Sequence, residues 1–333
     1  MTRLALFRRC VVVAAVVAVT VAGFWNGTAH LGAQSSQQMY LTVLDSDGLP
    51  ITDLRPYEVS ITENGVRREV LYLARPSGPA DVSLLVDTSG AVVPATTHVR
   101  NALSAFVNAL NGQARMSLVT FGDLPVRLVA PTTDMTRMQD AIDGLFPTED
   151  AISRFQDALV NAAIDISERQ PSRPTIVILA SDQLAGAFAE VSPNNTTRPV
   201  EQVIGVLQAI GAPVHIIALR SRESFEVVGR GVFDRQSAFS GRVDNNIRNS
   251  IMARETRDWL EVFETVSQRT GGRLSNLYAS AGLDKPLVGL ANEILGQYII
   301  TYSRPAEGIT ADALEIGVGI AREDVTVRVT PVM

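Results

Sequence analysis

The sequence contains one cysteine in 333 residues, and that cysteine, Cys10, lies in an apolar stretch near the N-terminus. A single cysteine excludes intrachain disulfides and any metal centre built on several cysteine ligands. Basic residues are fewer than acidic ones, 29 against 35, and they form no dense cluster. This charge pattern argues against nucleic acid and anionic membrane surfaces as partners. Stability must come from a hydrophobic core, which the 46% of hydrophobic residues can supply.

Loops that bind nucleotides are also absent from the sequence. No Gly-x-Gly-x-x-Gly segment follows the first strand of the α/β pattern described below, and Gly-Lys-Ser or Gly-Lys-Thr occurs nowhere. These are the loops that hold the phosphates of dinucleotides and nucleoside triphosphates. We therefore expect no nucleotide ligand.

Histidine is scarce, which limits the possible enzyme chemistry. Beyond residue 33 the chain has only His98 and His215, and His215 lies in an apolar run that is typical of a buried position. A serine nucleophile needs a base within hydrogen-bond reach. The segment around Ser89, the candidate nucleophile, also lacks the Gly-x-Ser-x-Gly elbow. Because no nucleophile, base and acid can be named as a set, we expect the protein not to be an enzyme.

The first 33 residues have the pattern of an export signal. Three arginines precede a charge-free run from Cys10 to Phe24, and small residues follow around Ala33. This order predicts a signal peptide over residues 1–33. The alternative is an uncleaved membrane anchor, because the apolar run approaches the roughly 20 residues that span a bilayer. Both interpretations place the rest of the chain outside the cytoplasm, as a periplasmic, secreted or envelope-associated protein, with membrane contact only if the signal is uncleaved.

Two separate parts of the sequence have the alternating pattern of β-strands. Residues 38–75 contain short alternating runs with a turn at Asn64-Gly65, which is a strong signal for a β-hairpin. Residues 313–332 alternate like a terminal antiparallel pair of strands. We expect the two parts to form one small β unit. A linker rich in proline and glycine, residues 75–79, follows the first part.

Residues 80–304 alternate between strands and helices. The predicted strands cover residues 82–87, 116–121, 126–129, 175–180, 214–219 and 297–302, and the predicted helices cover residues 96–110, 135–145, 154–169, 200–210, 258–268 and 287–295. This alternation predicts an α/β fold with a doubly wound, mostly parallel sheet and helices on both faces. Residues 220–254 interrupt the pattern with few apolar side chains, and we expect them to form a surface insertion.

The strand over residues 82–87 ends in a cluster of polar residues, Asp87-Thr88-Ser89-Gly90-Ala91. Ser153 directly precedes a predicted helix, and Asp182 follows another predicted strand. Because ligands of open α/β sheets bind at the carboxyl ends of the strands, we expect Asp87, Ser89, Ser153 and Asp182 to converge there. Carboxylate and hydroxyl oxygens predict a hard cation such as Mg²⁺. The alternative is that these side chains only cap helix N-termini.

This constellation resembles the metal-ion-dependent adhesion site of the von Willebrand factor A domain. That site combines an Asp-x-Ser-x-Ser motif, a threonine from a second loop and an aspartate from a third. Asp87 and Ser89 match the first two motif positions. Ser153 stands where the family usually has threonine, and Asp182 matches the last acid. The third motif position is Ala91, which has no hydroxyl, so the resemblance implies a von Willebrand A fold with a degenerate site.

The resemblance extends over most of residues 39–304. Further matching segments are Gly48–Leu54, Tyr57–Val59, Glu63–Gly65, Thr270–Arg273 and Gln297–Tyr302. These segments are similar to exported bacterial proteins of the family that flank the domain with β segments. Residues 183–198 and 220–254 are then expected to be loops beside the site that set its specificity.

The resemblance implies a protein-binding, adhesion-type module. In the family, hydroxyls bind the cation directly, the acids bind mostly through water, and an acidic group of the partner completes the shell. The implied cofactor is Mg²⁺, Mn²⁺ or Ca²⁺, and a water could replace the oxygen missing at Ala91. The implied partner is another protein, contacted through an acidic side chain. The alternative function is a metal-independent scaffold or assembly component of a cell-envelope complex that binds through its β segments.

Overall fold

A computed structural model describes residues 35–151, 153–182, 200–220, 260–304 and 316–332. The predicted signal peptide, the loop at 183–198 and nearly all of the predicted insertion at 220–254 lie outside these residues. None of the helices among the described residues is both long and apolar enough to span a bilayer.

The described secondary structure follows the predicted order of elements, except that the sequence did not predict the strand Leu274–Leu277. The strands are β1 (Ser35–Leu44), β2 (Val59–Glu63), β3 (Val66–Arg68), β4 (Val70–Ala74), β5 (Ala80–Val86), β6 (Ala114–Thr120), β7 (Val126–Thr132), β8 (Pro174–Ser181), β9 (Val214–Leu219), β10 (Leu274–Leu277), β11 (Tyr298–Arg304), β12 (Ile316–Ile320) and β13 (Thr326–Val332). The helices are α1 (Thr96–Leu110), α2 (Met135–Asp143), α3 (Phe155–Arg169), α4 (Val200–Ala209), α5 (residues 260–269) and α6 (Asp284–Leu295).

The centre of the fold is a six-stranded sheet with the order β10-β9-β8-β5-β6-β7. All neighbours are parallel except β6 and β7, which are antiparallel. Every residue of β5, β8 and β9 is buried. Because these strands are covered on both faces, most of their residues are apolar. The predicted α/β fold with a mostly parallel, doubly wound sheet is confirmed.

Helices cover both faces of the central sheet. Alternate residues of the strands point to opposite faces, so that Leu84 and Val177 join one core while Leu85 and Ile178 join the other. Helices α1, α2 and α6 pack in the first core, and α3, α4 and α5 pack in the second. Each helix contributes one apolar stripe, which is the helical periodicity read in the sequence.

The remaining strands form a small β unit from both ends of the described chain. A four-stranded sheet has the order β13-β1-β11-β4, a three-stranded sheet has the order β12-β2-β3, and the two enclose a third apolar core. Asn64 and Gly65 have positive φ angles, and the turn they form joins β2 to β3 as predicted. The expectation that β12 and β13 pair with each other was wrong, because β12 pairs with β2 and β13 pairs with β1. Strand β11, inside the range predicted for the α/β domain, pairs with β1 and β4.

A polar cluster lies where the β unit meets the central domain. Glu293 of α6 forms ion pairs with Arg273, at 2.7 Å, and with Arg328 of β13, at 3.3 Å. A cavity of about 210 Å³ beside this network is lined by His215, Glu293 and Arg328 among others. Burial, followed by the charges of Arg273 and Arg328, lowers the pKa of His215 to about 3. His215 is therefore neutral in the folded protein at ordinary pH.

We expect the buried His215 to make the protein less stable in mild acid. The unfolded chain binds a proton near pH 6.5, whereas the folded chain does so only near pH 3, so the free energy of unfolding falls as the pH drops. Between pH 7 and pH 5 the loss from this residue is about 2 kcal/mol. Urea unfolding of the wild type and of His215→Gln at both pH values measures it.

The comparison with His215→Gln isolates the histidine, because the variant keeps Glu293, whose pKa burial raises, and both arginines. The variant should lose less stability than the wild type over this range. Equal losses in the two proteins would show that His215 is not the residue that titrates.

Candidate functional site

The carboxyl edge of the central sheet brings together the four side chains that the sequence singled out. Asp87 and Ser89 follow β5, and Asp182 directly follows β8, the neighbour of β5. Ser153 precedes α3, and its hydroxyl lies close enough to the Asp87 carboxylate to lower the pKa of that group. The sheet topology therefore places all four residues at one edge. Whether they form a working site stays a prediction.

Asp87 is the anchor of this edge. Its side chain is almost completely buried, and its Oδ1 accepts a hydrogen bond from the backbone N–H of Ser89 at 2.8 Å. Its Oδ2 accepts one from the backbone N–H of Ser181 at 3.1 Å. Burial raises the pKa of Asp87 above its ordinary value, although the hydrogen bonds from Ser89, Ser181 and Ser153 act to lower it. Asp87 thus ties the end of β5 to the end of β8.

The two serines do not act as helix caps. Ser89 precedes a short 3-10 segment, Gly90–Ala95, but its side chain forms no capping hydrogen bond there. The N-cap of α3 is Arg154, not Ser153. The buried hydroxyl of Ser89 lies close enough to Asp87 to lower its pKa, yet it makes no hydrogen bond of regular geometry among the described residues.

The motif loop and the loop before α3 are in close backbone contact. Thr148 donates its N–H to the carbonyl of Thr88 at 3.0 Å, and Gly90 donates its N–H to the carbonyl of Ala151 at 3.2 Å. A Cβ atom at Gly90 would overlap the carbonyl of Glu149. The glycine of the motif is therefore required for this close approach. The contact holds Ser153 near Asp87.

Arg220 is a residue of the site that the sequence analysis missed. It directly follows β9, and its N–H donates to the carbonyl of Leu277 at 2.7 Å. Its Nε lies 2.8 Å from Oδ2 of Asp182, at an angle too sharp for a regular hydrogen bond. The side chain of Asp182 is 0% exposed and that of Arg220 is 14% exposed. The only signal in the sequence was an arginine directly after a buried strand, and it was assigned to the surface insertion.

Neither histidine lies beside Ser89. His98 of α1 pairs through Nδ1 with the hydroxyl of Ser280 at 2.8 Å. His215 is the second residue of β9, so it lies toward the other end of that strand from the carboxyl edge. Among the described residues, no histidine is placed to act as a base for the Ser89 hydroxyl.

The comparisons with known proteins agree with this fold. The sequence model of the von Willebrand factor type A domain matches residues 82–185, which include β5, β8 and the whole candidate site. The chain contains a von Willebrand factor type A (VWA) domain. No curated protein sequence matches the chain at a significant level.

Several solved structures are similar to this VWA protein at low sequence identity. A von Willebrand factor type A protein from Catenulispora acidiphila has 9% identity and a TM-score of 0.46, covering 90% of this chain and 74% of that one. BatB from Bacteroides thetaiotaomicron has 11% identity and a TM-score of 0.40, covering 64% and 98%. Proximal thread matrix protein 1 from the mussel byssus, with a zinc-occupied adhesion-site motif, has 14% identity and a TM-score of 0.40, covering 72% and 50%. At these values the likenesses carry no information on function.

The residues at the edge of this VWA domain do not fit a divalent cation as they are arranged. Both oxygens of Asp87 accept backbone hydrogen bonds, and an oxygen of Asp182 is paired with the guanidinium of Arg220. Ala91 supplies no hydroxyl. In the described ranges, no group of three or more acidic, histidine or cysteine residues could hold a metal. The Ser89 hydroxyl adds one oxygen, but it already lies close to the Asp87 carboxylate.

Proposed function

We propose that the protein is an exported protein-binding module of the adhesion type, and that its partner docks on the carboxyl edge of the VWA domain. The observation that carries this proposal is that three large apolar side chains are exposed on loops at this edge of the sheet. Leu124 is 68% exposed, Phe146 is 73% exposed and Tyr278 is 58% exposed. Large exposed apolar and aromatic side chains are typical of a protein interface.

Leu124 and Tyr278 follow strands of the central sheet, and Phe146 lies two residues before Thr148, which contacts the motif loop. Leu124 lies in the turn between β6 and β7, which begins beside Thr88 through the bond from the Gly122 N–H to the Thr88 hydroxyl at 3.1 Å. Phe146 lies 4.4 Å from the guanidinium carbon of Arg100. Tyr278 follows β10, and its ring centre lies 6.0 Å from the guanidinium carbon of Arg220. Aromatic residues beside arginines are frequent hot spots of binding energy.

The other parts of the proposal follow from the sequence. Residues 1–33 export the chain to the periplasm, the cell envelope or the medium, and the protein is not an enzyme. Asp87, Ser89, Ser153 and Asp182 form a degenerate metal-ion-dependent adhesion site. Mg²⁺ or a related ion could bind there only if Arg220 left Asp182, and an acidic side chain of the partner would then complete its shell.

The scaffold alternative has one observation in its favour. The β unit also exposes large apolar side chains, namely Tyr57, which is 86% exposed, and Leu71 and Tyr72. A partner that binds through the β segments would cover these residues and leave the carboxyl edge free. The two functions therefore differ in which face of the molecule is covered.

Site-specific crosslinking distinguishes the two faces. A photo-reactive phenylalanine analogue replaces Tyr278 at the edge in one variant and Tyr57 on the β unit in a matched variant, both as full-length protein in the source cells. We expect a protein adduct from position 278 and none from position 57. Adding Phe146→Ser to the first variant should reduce the adduct about tenfold, the scale of one hot-spot residue. Adducts from position 57 alone, or from neither position, would contradict the proposal.

A further inference from the structure

We propose that the guanidinium of Arg220 takes the place of the divalent cation at this edge, so that the VWA domain binds its partner without a metal ion. This inference deepens the proposed function and rests on it for the choice of the binding face. It is carried by the ion pair between Arg220 and Asp182. Asp182 stands at the position of the last acid of the adhesion site, and its carboxylate meets a positive charge that belongs to the chain itself.

The carboxylate of Asp182 is buried and needs a positive partner. Its side chain is 0% exposed, and a carboxylate without water requires a positive partner and hydrogen bonds to remain charged. In an adhesion site of the usual kind, the cation supplies that charge. Here the Nε atom of Arg220 supplies it at 2.8 Å.

The fold fixes Arg220 in this place. The N–H of Asp182 donates to the carbonyl of Leu219 at 3.0 Å, which sets the end of β9 beside the end of β8. The N–H of Arg220 donates in turn to Leu277 of β10. The backbone on both sides is thus held by strand neighbours, and the side chain leaves it toward Asp182. The ion pair is a product of sheet register and not of a chance surface contact.

The positive charge of Arg220 excludes a metal ion from the place beside Asp182. The guanidinium of Arg220 already occupies the place beside Asp182 that a cation would take. A divalent ion beside Asp182 would lie next to this positive charge in a water-poor environment, where like charges repel strongly. Ala91 also lacks the hydroxyl oxygen that a serine at this motif position would supply. The missing hydroxyl at Ala91 and the guanidinium of Arg220 both weaken the binding of a divalent cation.

An arginine in place of the metal changes how the partner is recognised. A guanidinium brings one positive charge where Mg²⁺ would bring two, against the same carboxylates of Asp87 and Asp182. The edge is therefore one unit more negative than a metal-loaded site would be, and it offers no open coordination position for an acidic side chain of the partner. The partner is held instead by the exposed apolar side chains of Leu124, Phe146 and Tyr278, and its binding does not depend on chelators.

Isothermal titration with Mg²⁺ and Mn²⁺ tests the inference without any partner. The proteins are the wild type, Arg220→Gln with Ala91→Ser, and the same double variant with Asp182→Asn added. We expect no saturable heat from the wild type, binding of the double variant in the millimolar range or tighter, and loss of that binding in the triple variant. Arg220→Lys, which keeps the charge, should behave as the wild type does.

Two results would overturn the inference. One is saturable binding by the wild type that disappears in Asp182→Asn. The other is a double variant that is folded by circular dichroism and binds neither ion. If Arg220→Gln does not fold, Arg220→Met in the same background takes its place. Crosslinking at position 278 with and without EDTA separates this inference from the proposed function: an adduct lost with EDTA refutes metal independence, whereas no adduct under either condition refutes the binding face.

Discussion

Replacing Glu293 by glutamine is expected to lower the free energy of unfolding by about 3 kcal/mol. The carboxylate of Glu293 is nearly buried and forms ion pairs with Arg273 and with Arg328. Glutamine keeps the shape of the side chain and removes its charge, so both guanidinium groups lose their counter-charge in a poorly hydrated junction. The expected loss lies at the lower end of values for broken buried ion pairs, because the two arginines are partly exposed and because the substitution also removes the cost of burying the carboxylate, which raises the pKa of Glu293. Urea unfolding at pH 7 followed by circular dichroism measures the change.

The matched control is Glu201→Gln. Glu201 also forms an ion pair with an arginine, Arg269, but both side chains are exposed. Exposed pairs contribute little, and we expect the control to lose less than about 1 kcal/mol. Similar losses in the two variants would mean that the junction around Glu293 is as well hydrated as the surface.

Replacing Gly272 by alanine is expected to lower the free energy of unfolding by about 3 kcal/mol, the upper part of the range for overpacked sites. Gly272 lies just before β10, where the chain crosses the start of β9. A Cβ atom there would overlap the carbonyl group of Val214 and lie 2.9 Å from its nitrogen. Both sides of this contact are backbone, so neither can relieve the overlap by changing a rotamer. Thermal unfolding followed by circular dichroism measures the loss.

Gly289→Ala is the control for this substitution. Gly289 lies inside α6, and a Cβ atom there would meet no atom within 4 Å. Because alanine is the better helix former, the control should be more stable than the wild type by up to about 1 kcal/mol. A stable Gly272→Ala protein would show that β9 and β10 can move apart at little cost.

The fold of the VWA domain could be predicted because its local signals agree with its burial. The residues of β5, β8 and β9 are mostly apolar, and these strands are covered on both faces in the structure. The stripe of α1 was equally clear, since its apolar side chains are the ones that are buried. The ends of the helices were predicted less accurately than their existence. Helix α6 begins at Asp284 and not at 287, because Pro286 is tolerated in the first turn of a helix.

The pairing of the β unit could not be predicted in the same way. Alternation shows that β12 and β13 have one buried face, but it does not identify the neighbour of each strand. The structure assigns β12 to β2 and β13 to β1, on opposite sheets of one core. Each pairing joins residues far apart in the chain, so no local turn signal could specify it.

By itself, the sequence determined the α/β fold, the hairpin at Asn64-Gly65 and the placement of Asp87 and Asp182 at strand ends. These features depend on periodicity and on turn residues, which are local. Only the tertiary structure decided that Arg220 faces Asp182 and that Glu293 lies between two arginines. Those contacts depend on sheet register and on the docking of distant segments. The physical reason is that an apolar face produces a periodic pattern in the sequence. A charged side chain produces no such pattern, so the sequence does not show which residue it pairs with.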